Sequence, residues 1–336
     1  MEKNIPLFEA LKDISMRKTV PDGDEYRKKI IDAVSVLSSE VSPIRPPGTG
    51  GMPGGIINLK TEIPTVIVPD IHARAGLLLK ILEYKPDNGD TIIEMLETSR
   101  VQIVCVGDGI HGEKRAFQRW RKAYTEFEGD YRKHSSMDDE MRESFGAMEI
   151  VCELKRAFPE NFHFLKGNHE NIKNEDGNGN YPFGKFVYEG AMVKAYVEEF
   201  YGADFINSYS AFEKKLPIFA IGSNFLISHS EPKIFYSREI ITNYYDYPEV
   251  IYGLTWTPDD GAEEGSVQAM LNYYLSGKNL DDLYYFGGHR PIPGLYNLRA
   301  GGKYVQIHNP DKYIIAYIKQ DGKINLKDDI IELKSI

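Results

Sequence analysis

Residues 63–70 read IPTVIVPD, a short apolar run that ends in a carboxylate, and this pattern decides the fold. Two later stretches repeat it, VQIVCVGD at 101–108 and FHFLKGNHE at 162–170. Helical patterns lie between the runs, at residues 75–84 and 148–158, as in βαβ units that build a largely parallel sheet. The carboxyl ends of such strands meet at one edge of the sheet, which is where ligands bind.

The second half of the chain has a different pattern, with short apolar runs joined by turns. These runs predict a second, mixed sheet that packs on the first in one domain, and the last of them contains a hairpin signal at residues 320–323. We therefore expect an α/β fold with two packed mixed β-sheets flanked by helices. The runs are LPIFAI (216–221), FLISHS (225–230), YYFGGH (284–289), KYVQIH (303–308) and YIIAYIKQDGKINL (313–326).

Three segments divide the chain. Residues 1–60 predict an N-terminal helical extension, followed at 43–55 by a Pro/Gly-rich loop that cannot stay helical. Residues 61–336 contain the strand-like runs and form the main domain. Within it, residues 113–160 are charged, aromatic and helix-forming, which indicates a helical insertion that is either a cap or a long crossover between two strands.

Composition restricts the class of protein. The chain has 336 residues, is 42% hydrophobic and carries a net charge of −10, so it is globular and has no basic surface for bulk nucleic acid. Cys105 and Cys152 lie in apolar patterns, which predicts core positions rather than disulfides or a zinc-thiolate site.

With no signal-like segment and no apolar run of membrane-spanning length, we expect a cytoplasmic protein without membrane contacts. The sequence does not indicate an oligomeric state.

The residues at the ends of the apolar runs are of the kinds that bind metal ions. Each has an ordinary alternative, because Asp-Gly turns, capping aspartates and buried histidines are common. Five runs that each deliver Asp, Asn or His at the carboxyl end nevertheless favour a metal site. The candidate ligands are Asp70, His72, Asp108, Asn168, His229 and His289, and His169 within Gly-Asn-His-Glu is the candidate proton donor.

Oxygen and imidazole ligands without thiolate suit Mn²⁺, Fe or Zn²⁺. Two such cations about 3.5–4 Å apart can generate a hydroxide at neutral pH and stabilise both the attacking and the leaving oxygen. This chemistry suits the transfer of a phosphoryl group to water.

Over roughly residues 63–320 the motifs resemble those of the calcineurin-like metallophosphoesterases: Asp-x-His, Gly-Asp, Gly-Asn-His-Glu, a His after a strand, and Gly-His. Three stretches are most similar to phosphoprotein phosphatases and symmetrical diadenosine tetraphosphatases, namely LPIFAIGSNFLISHSEP, LTWTPDD and GGHRPIPG. The resemblance implies a four-layer sandwich and two divalent ions, Mn²⁺ being the expected choice in vitro. It also implies a first ion on Asp70 and His72, a bridging Asp108, and a second ion on Asn168, His229 and His289.

Two departures from the family pattern concern catalysis. His111 stands where the phosphatase branch has an Asp that orients the catalytic His, so it orients His169, contacts phosphate or only occupies the turn. Gly112 stands where that branch has a phosphate-binding Arg. Arginines next to the ligand motifs are then the candidates for substrate binding: Arg74, Arg115 and Arg290.

The expected function is hydrolysis of phosphate monoesters or nucleotide anhydrides by attack of a metal-bound hydroxide on phosphorus. The partner is then a phosphorylated protein or a nucleotide, and the sequence does not choose between them. Two alternatives stay open. One is a degenerate family member that binds metal or a partner with little catalysis, and the other is a phosphodiesterase.

Overall fold

The computed structural model describes residues 5–320 and 322–334. Its helices are α1 (Ile5–Met16), α2 (Gly23–Ser39), α3 (Ala75–Glu83), α4 (Ile92–Glu97), α5 (Phe117–Glu128), α6 (Ser135–Ala157), α7 (Glu189–Phe200), α8 (Gly202–Lys215), α9 (Arg238–Thr242), α10 (Glu249–Thr255), α11 (Ser266–Tyr274) and α12 (Leu326–Asp329). Its strands are β1 (Ile56–Asn58), β2 (Thr65–Val68), β3 (Gln102–Cys105), β4 (Phe162–Phe164), β5 (Phe219–Ile221), β6 (Phe225–Ile227), β7 (Tyr284–Gly287), β8 (Asn297–Arg299), β9 (Tyr304–Gln306), β10 (Ile314–Ile318) and β11 (Ile330–Glu332).

One sheet has the order β11-β10-β2-β3-β4. Strands β2, β3 and β4 are parallel, as their apolar runs predict, whereas β10 is antiparallel to both β2 and β11. The chain crosses from β3 to β4 through α5 and α6, which lie in the segment 113–160. The hairpin signal at 320–323 includes residue 321, which lies outside the described residues, and β11 begins only at Ile330, after α12.

The other sheet has the order β1-β5-β6-β7-β9-β8 and is mixed, as expected. The prediction is wrong for the run at residues 313–326, because its strand β10 pairs with β2 and β11 and so lies in the first sheet. Strands β6, β7 and β9 are parallel, so their carboxyl ends lie at one edge. The ends of β2, β3 and β4 share an edge of the first sheet for the same reason.

Side chains along each strand point alternately to the helices and to the other sheet, and this produces the four-layer sandwich. Ile103 and Cys105 of β3 face α1–α8, while Val104 between them packs against the second sheet. In β7, Tyr285 faces α9–α11 and Phe286 faces the first sheet. This period of two follows from strand geometry and buries both faces of each sheet. The two mixed sheets flanked by helices confirm the predicted fold class.

The N-terminal helices pack on the outer helical layer. Helix α2 contacts α6 and α8, and α1 contacts α6. The side chain of Asp22 caps α2 by accepting hydrogen bonds from two backbone N–H groups at 3.0 Å. Residues 56–58 form β1, which pairs with β5, and the division of the chain at residue 60 stays a prediction. Within the described ranges, none of the helices combines the length and apolar character needed to cross a bilayer.

Candidate metal centre

Hydrogen bonds just beyond the strand ends join the loops that follow β2, β3 and β4. The N–H of His72 donates to the carbonyl oxygen of Asp108 (2.7 Å). The buried carboxylate of Glu170 accepts from the N–H groups of Asp108 (2.9 Å), Gly109 (2.8 Å) and Gly167 (2.6 Å). Glu170 therefore fixes the two loops that carry the predicted ligands Asp108 and Asn168.

Glycines allow the carboxylates to approach the backbone closely. A Cβ atom on Gly288 would lie 1.8 Å from Oδ1 of Asp70, and one on Gly167 would lie 2.2 Å from Oδ1 of Asp108.

Left-handed backbone at non-glycine residues costs on the order of 1–3 kcal/mol each and concentrates at functional sites. It occurs here at His72, Ala73, Asp108, His111, Glu113 and His289.

A first group of ligand atoms surrounds His72. Its Nε2 lies 3.7 Å from Oδ2 of Asp70 and 3.6 Å from Oδ2 of Asp108. Nδ1 of His308 lies 3.7 Å from the same oxygen of Asp70. These separations are too long for hydrogen bonds and close to the roughly 3–3.5 Å between atoms that share one ion at about 2.1 Å. All four side chains are buried.

A second group centres on Asn168. Its Oδ1 lies 2.9 Å from Nε2 of His229 and 3.0 Å from Nδ1 of His289. Nε2 of His229 is also 3.4 Å from Oδ2 of Asp108, so this carboxylate belongs to both groups. The structure thus brings together all six side chains that the sequence nominates as ligands.

Two of the imidazole rings present a lone pair to the other ligand atoms, which fits a bound cation. Nδ1 of His229 lies 3.1 Å from the carbonyl oxygen of Val106 and therefore carries the ring proton, so Nε2 presents a lone pair. Nδ1 of His72 lies 3.3 Å from the carbonyl oxygen of Ile110, with the same consequence. Burial lowers the pKa of His229 to about 4, so its ring is neutral at neutral pH. Neutral imidazole is the form that binds metal.

Sequence reasoning misses His308 and Glu113. Oε2 of Glu113 lies 3.1 Å from Nε2 of His308, and Oε1 lies 3.5 Å from Nε2 of His72 and 2.8 Å from Nζ of Lys185. Nδ1 of the buried His308 has no hydrogen-bond partner within the described residues. His308 could have been predicted by the same rule, because the run KYVQIH ends in His308 just as the other runs end in candidate ligands. No sequence pattern indicates Glu113.

The predicted proton donor His169 lies at the rim of the cluster and is 9% exposed. The backbone N–H of His169 donates to Oδ1 of Asp108 (2.9 Å), and its ring atom Nε2 lies 3.8 Å from Oδ2 of the same residue. The ring contacts Phe183 at 4.6 Å between centroids, and Nδ1 has no partner in the described part of the chain. Burial, and then His111, hold the pKa of His169 well below its usual value.

His111, which stands where the phosphatase motif has an Asp, lies against His169 with ring centroids 4.9 Å apart. It stacks between Trp120 (5.0 Å) and Phe186 (6.0 Å), at interplanar angles of 23° and 22°. The side chain is buried, so His111 forms part of the wall behind the candidate proton donor.

Glu189, at the start of α7, lies behind His111. Nδ1 of His111 accepts a hydrogen bond from the N–H of Glu113 (3.3 Å), so Nε2 carries the proton, 3.6 Å from Oε1 of Glu189. The N–H groups of Lys185 (2.9 Å) and Phe186 (2.7 Å) hold the carboxylate. Burial opposes ionisation of Glu189, but the contact with His111 lowers its pKa to about 2. A buried carboxylate is thus present next to the position of the missing Asp.

The three candidate arginines have different surroundings. The guanidinium of the buried Arg74 donates to four backbone carbonyl groups at 2.6–3.1 Å. Arg115 pairs with Glu143 and donates to two backbone carbonyl groups at 3.1 Å. Arg290, next to His289, is exposed and has no ion pair or side-chain hydrogen bond to any described residue. Of the three, Arg290 has the most donors left for a substrate.

Comparisons with known proteins find similarity in structure and not in sequence. No family model and no curated protein matches the chain. A serine/threonine phosphatase from Saccharomyces cerevisiae with similarity to human phosphatase PP5 superposes with a TM-score of 0.52 at 13% identity, over 94% of this chain and 91% of that one. A putative diadenosine tetraphosphatase (TM-score 0.41, 15% identity, 83% and 97% covered) and a cold-active protein-tyrosine phosphatase of a psychrophilic Shewanella (0.42, 13%, 83% and 82%) also match. The superposition on the Saccharomyces cerevisiae phosphatase confirms the fold expected from the five motifs.

Proposed function

We propose that this chain is a dinuclear metal-dependent phosphoesterase that hydrolyses phosphate monoesters, of a phosphoprotein or a small molecule, or nucleotide anhydrides. The observation that carries the proposal is the pair of ligand groups that share Asp108, whose Oδ2 lies 3.6 Å from Nε2 of His72 and 3.4 Å from Nε2 of His229 among buried side chains. Asp70, His72 and His308 complete the first group, and Asn168, His229 and His289 complete the second.

The donor set fits Mn²⁺, Fe or Zn²⁺, because it offers imidazole nitrogens and carboxylate or amide oxygens and no thiolate. Two ions bound there would supply charge stabilisation for the phosphoryl oxygens and a water of lowered pKa. Glu113 would act indirectly, since its carboxylate fixes the outer nitrogen of His308.

The side chains around the ligand groups have separate roles in this proposal. His169 protonates the leaving oxygen, and the negative charge of a bound phosphate favours the protonated imidazole that this step needs. His111 and Phe183 confine the ring of His169 between them. Arg290 contacts the phosphoryl oxygens, because its guanidinium is exposed and unpaired within the described residues.

The proposal is tested by hydrolysis of p-nitrophenyl phosphate by chelator-stripped protein as Mn²⁺ is titrated back. We expect turnover that saturates at about two ions per chain, because the two ligand groups each fit one ion. His134→Asn is the control, since His134 is half-exposed, pairs with Asp138 and lies outside the cluster. Saturation at one ion, or full turnover in excess chelator, would contradict the dinuclear site.

His308→Asn is expected to lower metal content from about two ions to about one at limiting Mn²⁺, because His308 offers an unpaired Nδ1 to the first group. Glu113→Gln keeps the size of the side chain but removes its charge. It should lower the affinity for the first ion by about 10- to 100-fold, as expected of a residue that orients a ligand. Equilibrium dialysis with elemental analysis measures both. Wild-type affinity for both ions in His308→Asn would remove His308 from the ligand set.

A second candidate function is metal binding without efficient turnover. It is favoured by the unpartnered Nδ1 of His169 in the described structure and by the backbone contacts that occupy Arg74 and Arg115. Stoichiometric binding of two ions without hydrolysis of aryl, alkyl or diester phosphates would support this candidate over the enzyme. Faster cleavage of a bis-aryl than of a mono-aryl phosphate would instead indicate a phosphodiesterase.

A further inference from the structure

A cavity of about 380 Å³ lies beside the metal centre. Its walls come from the end of α1, the start of α3, the middle of α6 and the loop that follows His308. None of the candidate metal ligands lines it in the described structure, although Ala73 and Arg115 connect it to the segment that carries His72. Its size is at the lower end of the range for small-molecule sites, about 300–1,000 Å³.

Arginines dominate the lining of the cavity. Arg17, Arg74, Arg115 and Arg142 line it, with only Glu143 and Asp311 as carboxylates. This balance is opposite to that of the whole chain, which has a net charge of −10. Converging guanidinium groups are the usual means of binding phosphate.

Arg142 has the least occupied guanidinium of the four. Arg17 makes two hydrogen bonds to Glu149 (2.6 and 3.1 Å), whereas Arg142 makes one long bond to a backbone carbonyl (3.4 Å). Its nearest carboxylate oxygens, on Asp139 and Glu143, are 3.7 and 3.6 Å away. Most of its donors are therefore available to a ligand.

Uncharged donors complete the cavity. Ser15 and Tyr313 line it, and their hydroxyl groups make no hydrogen bond to any described residue. The hydroxyl of Tyr313 lies over the first turn of α3, where a Cβ atom on Gly76 would be 3.0 Å from it. That turn has no side-chain cap, so its N–H groups add positive potential.

We propose that this cavity binds a phosphate group of a small molecule, at a site separate from the metal ions. The combination of guanidinium, hydroxyl and backbone N–H donors matches an anion with several acceptor oxygens. The site requires the end of α1, because Ser15 and Arg17 form one wall, and this gives that part of the N-terminal extension a binding role.

Isothermal titration of the full-length, chelator-treated protein with pyrophosphate tests the proposal, since chelation removes any contribution from metal ions. We expect about one pyrophosphate per chain, with affinity reduced about tenfold or more in Arg142→Gln. Tyr313→Phe and Ser15→Ala each remove one donor without changing charge, and each should weaken binding a few-fold. Arg121→Gln, an exposed arginine on α5 away from the cavity, is the matched control and should bind like wild type.

Absence of binding by the wild type, or equal affinity in wild type, Arg142→Gln and Tyr313→Phe, would overturn the proposal. These outcomes do not depend on catalysis and so stay distinct from failure of the proposed function. With metal restored, a KM that rises in Arg142→Gln for a diphosphate substrate, but not for p-nitrophenyl phosphate, would show that the substrate's second phosphate uses the cavity. Unchanged KM values together with lost pyrophosphate binding would show that a separate effector does.

Discussion

Replacing Asp108 with asparagine is expected to lower kcat for p-nitrophenyl phosphate by about 1,000-fold or more, with loss of both ions. Its Oδ2 lies 3.6 Å from Nε2 of His72 and 3.4 Å from Nε2 of His229, so this one oxygen serves both ligand groups. An amide has no charge to place between two cations and is a poor bridge. The fall in kcat should be similar for substrates with good and with poor leaving groups, because hydrolysis of every substrate needs the ions.

Elemental analysis after gel filtration, together with kcat, measures the effect in Asp108→Asn. The control is Asp246→Asn, which removes an exposed carboxylate that belongs to neither ligand group. In metal-free protein the Asp108 variant should have an unchanged or raised Tm, because burial, with Glu170 and Asp70 nearby, raises the pKa of Asp108 and disfavours its charge. If the variant keeps two ions and more than about a tenth of the wild-type kcat, Asp108 is not the bridge.

The strand ends explain why much of the site could be predicted. A run such as VQIVCVGD specifies both a buried strand and the place where the strand stops, so its last residue must lie at the edge of the sheet. Because parallel strands share that edge, local patterns are enough to bring Asp70, Asp108 and Asn168 together. The same local rule applied to KYVQIH selects His308.

Other contacts depend on the tertiary fold and have no local signal. Glu189 starts a helix far along the chain from His111, and only the packing of α7 against α5 brings the two together. Arg74 follows a ligand motif directly, yet its guanidinium turns to backbone carbonyl groups from the loop after β9. Proximity in sequence to a ligand therefore does not identify the residue that binds substrate.

The pair formed by His111 and Glu189 bears on the missing Asp of the phosphatase pattern. The carboxylate is still present behind His169 but is separated from it by an imidazole ring. If His111 orients His169, Glu189 is a positioning residue that fixes the tautomer of His111. If His111 only fills the turn, Glu189 serves the packing of α7.

Replacing His169 with alanine is expected to keep both ions and to lower kcat for an alkyl phosphate by about 100- to 10,000-fold, the range of general acid catalysis. His169 lies beside the shared Asp108, is 9% exposed and is not required to complete either ligand group. An alkoxide leaves poorly without a proton. p-Nitrophenolate leaves more readily, so its rate should fall much less.

The ratio of the two effects separates a proton donor from a residue that only holds the site together. Rates for glycerol phosphate and p-nitrophenyl phosphate, measured in the wild type and in His169→Ala with metal content determined in parallel, give this ratio. Phe183→Leu is the matched control, because it loosens the ring of His169 without removing the proton that the ring carries. Equal losses for both substrates with two ions retained would show that His169 contacts the phosphoryl group instead, because stabilisation of that group does not depend on the leaving group.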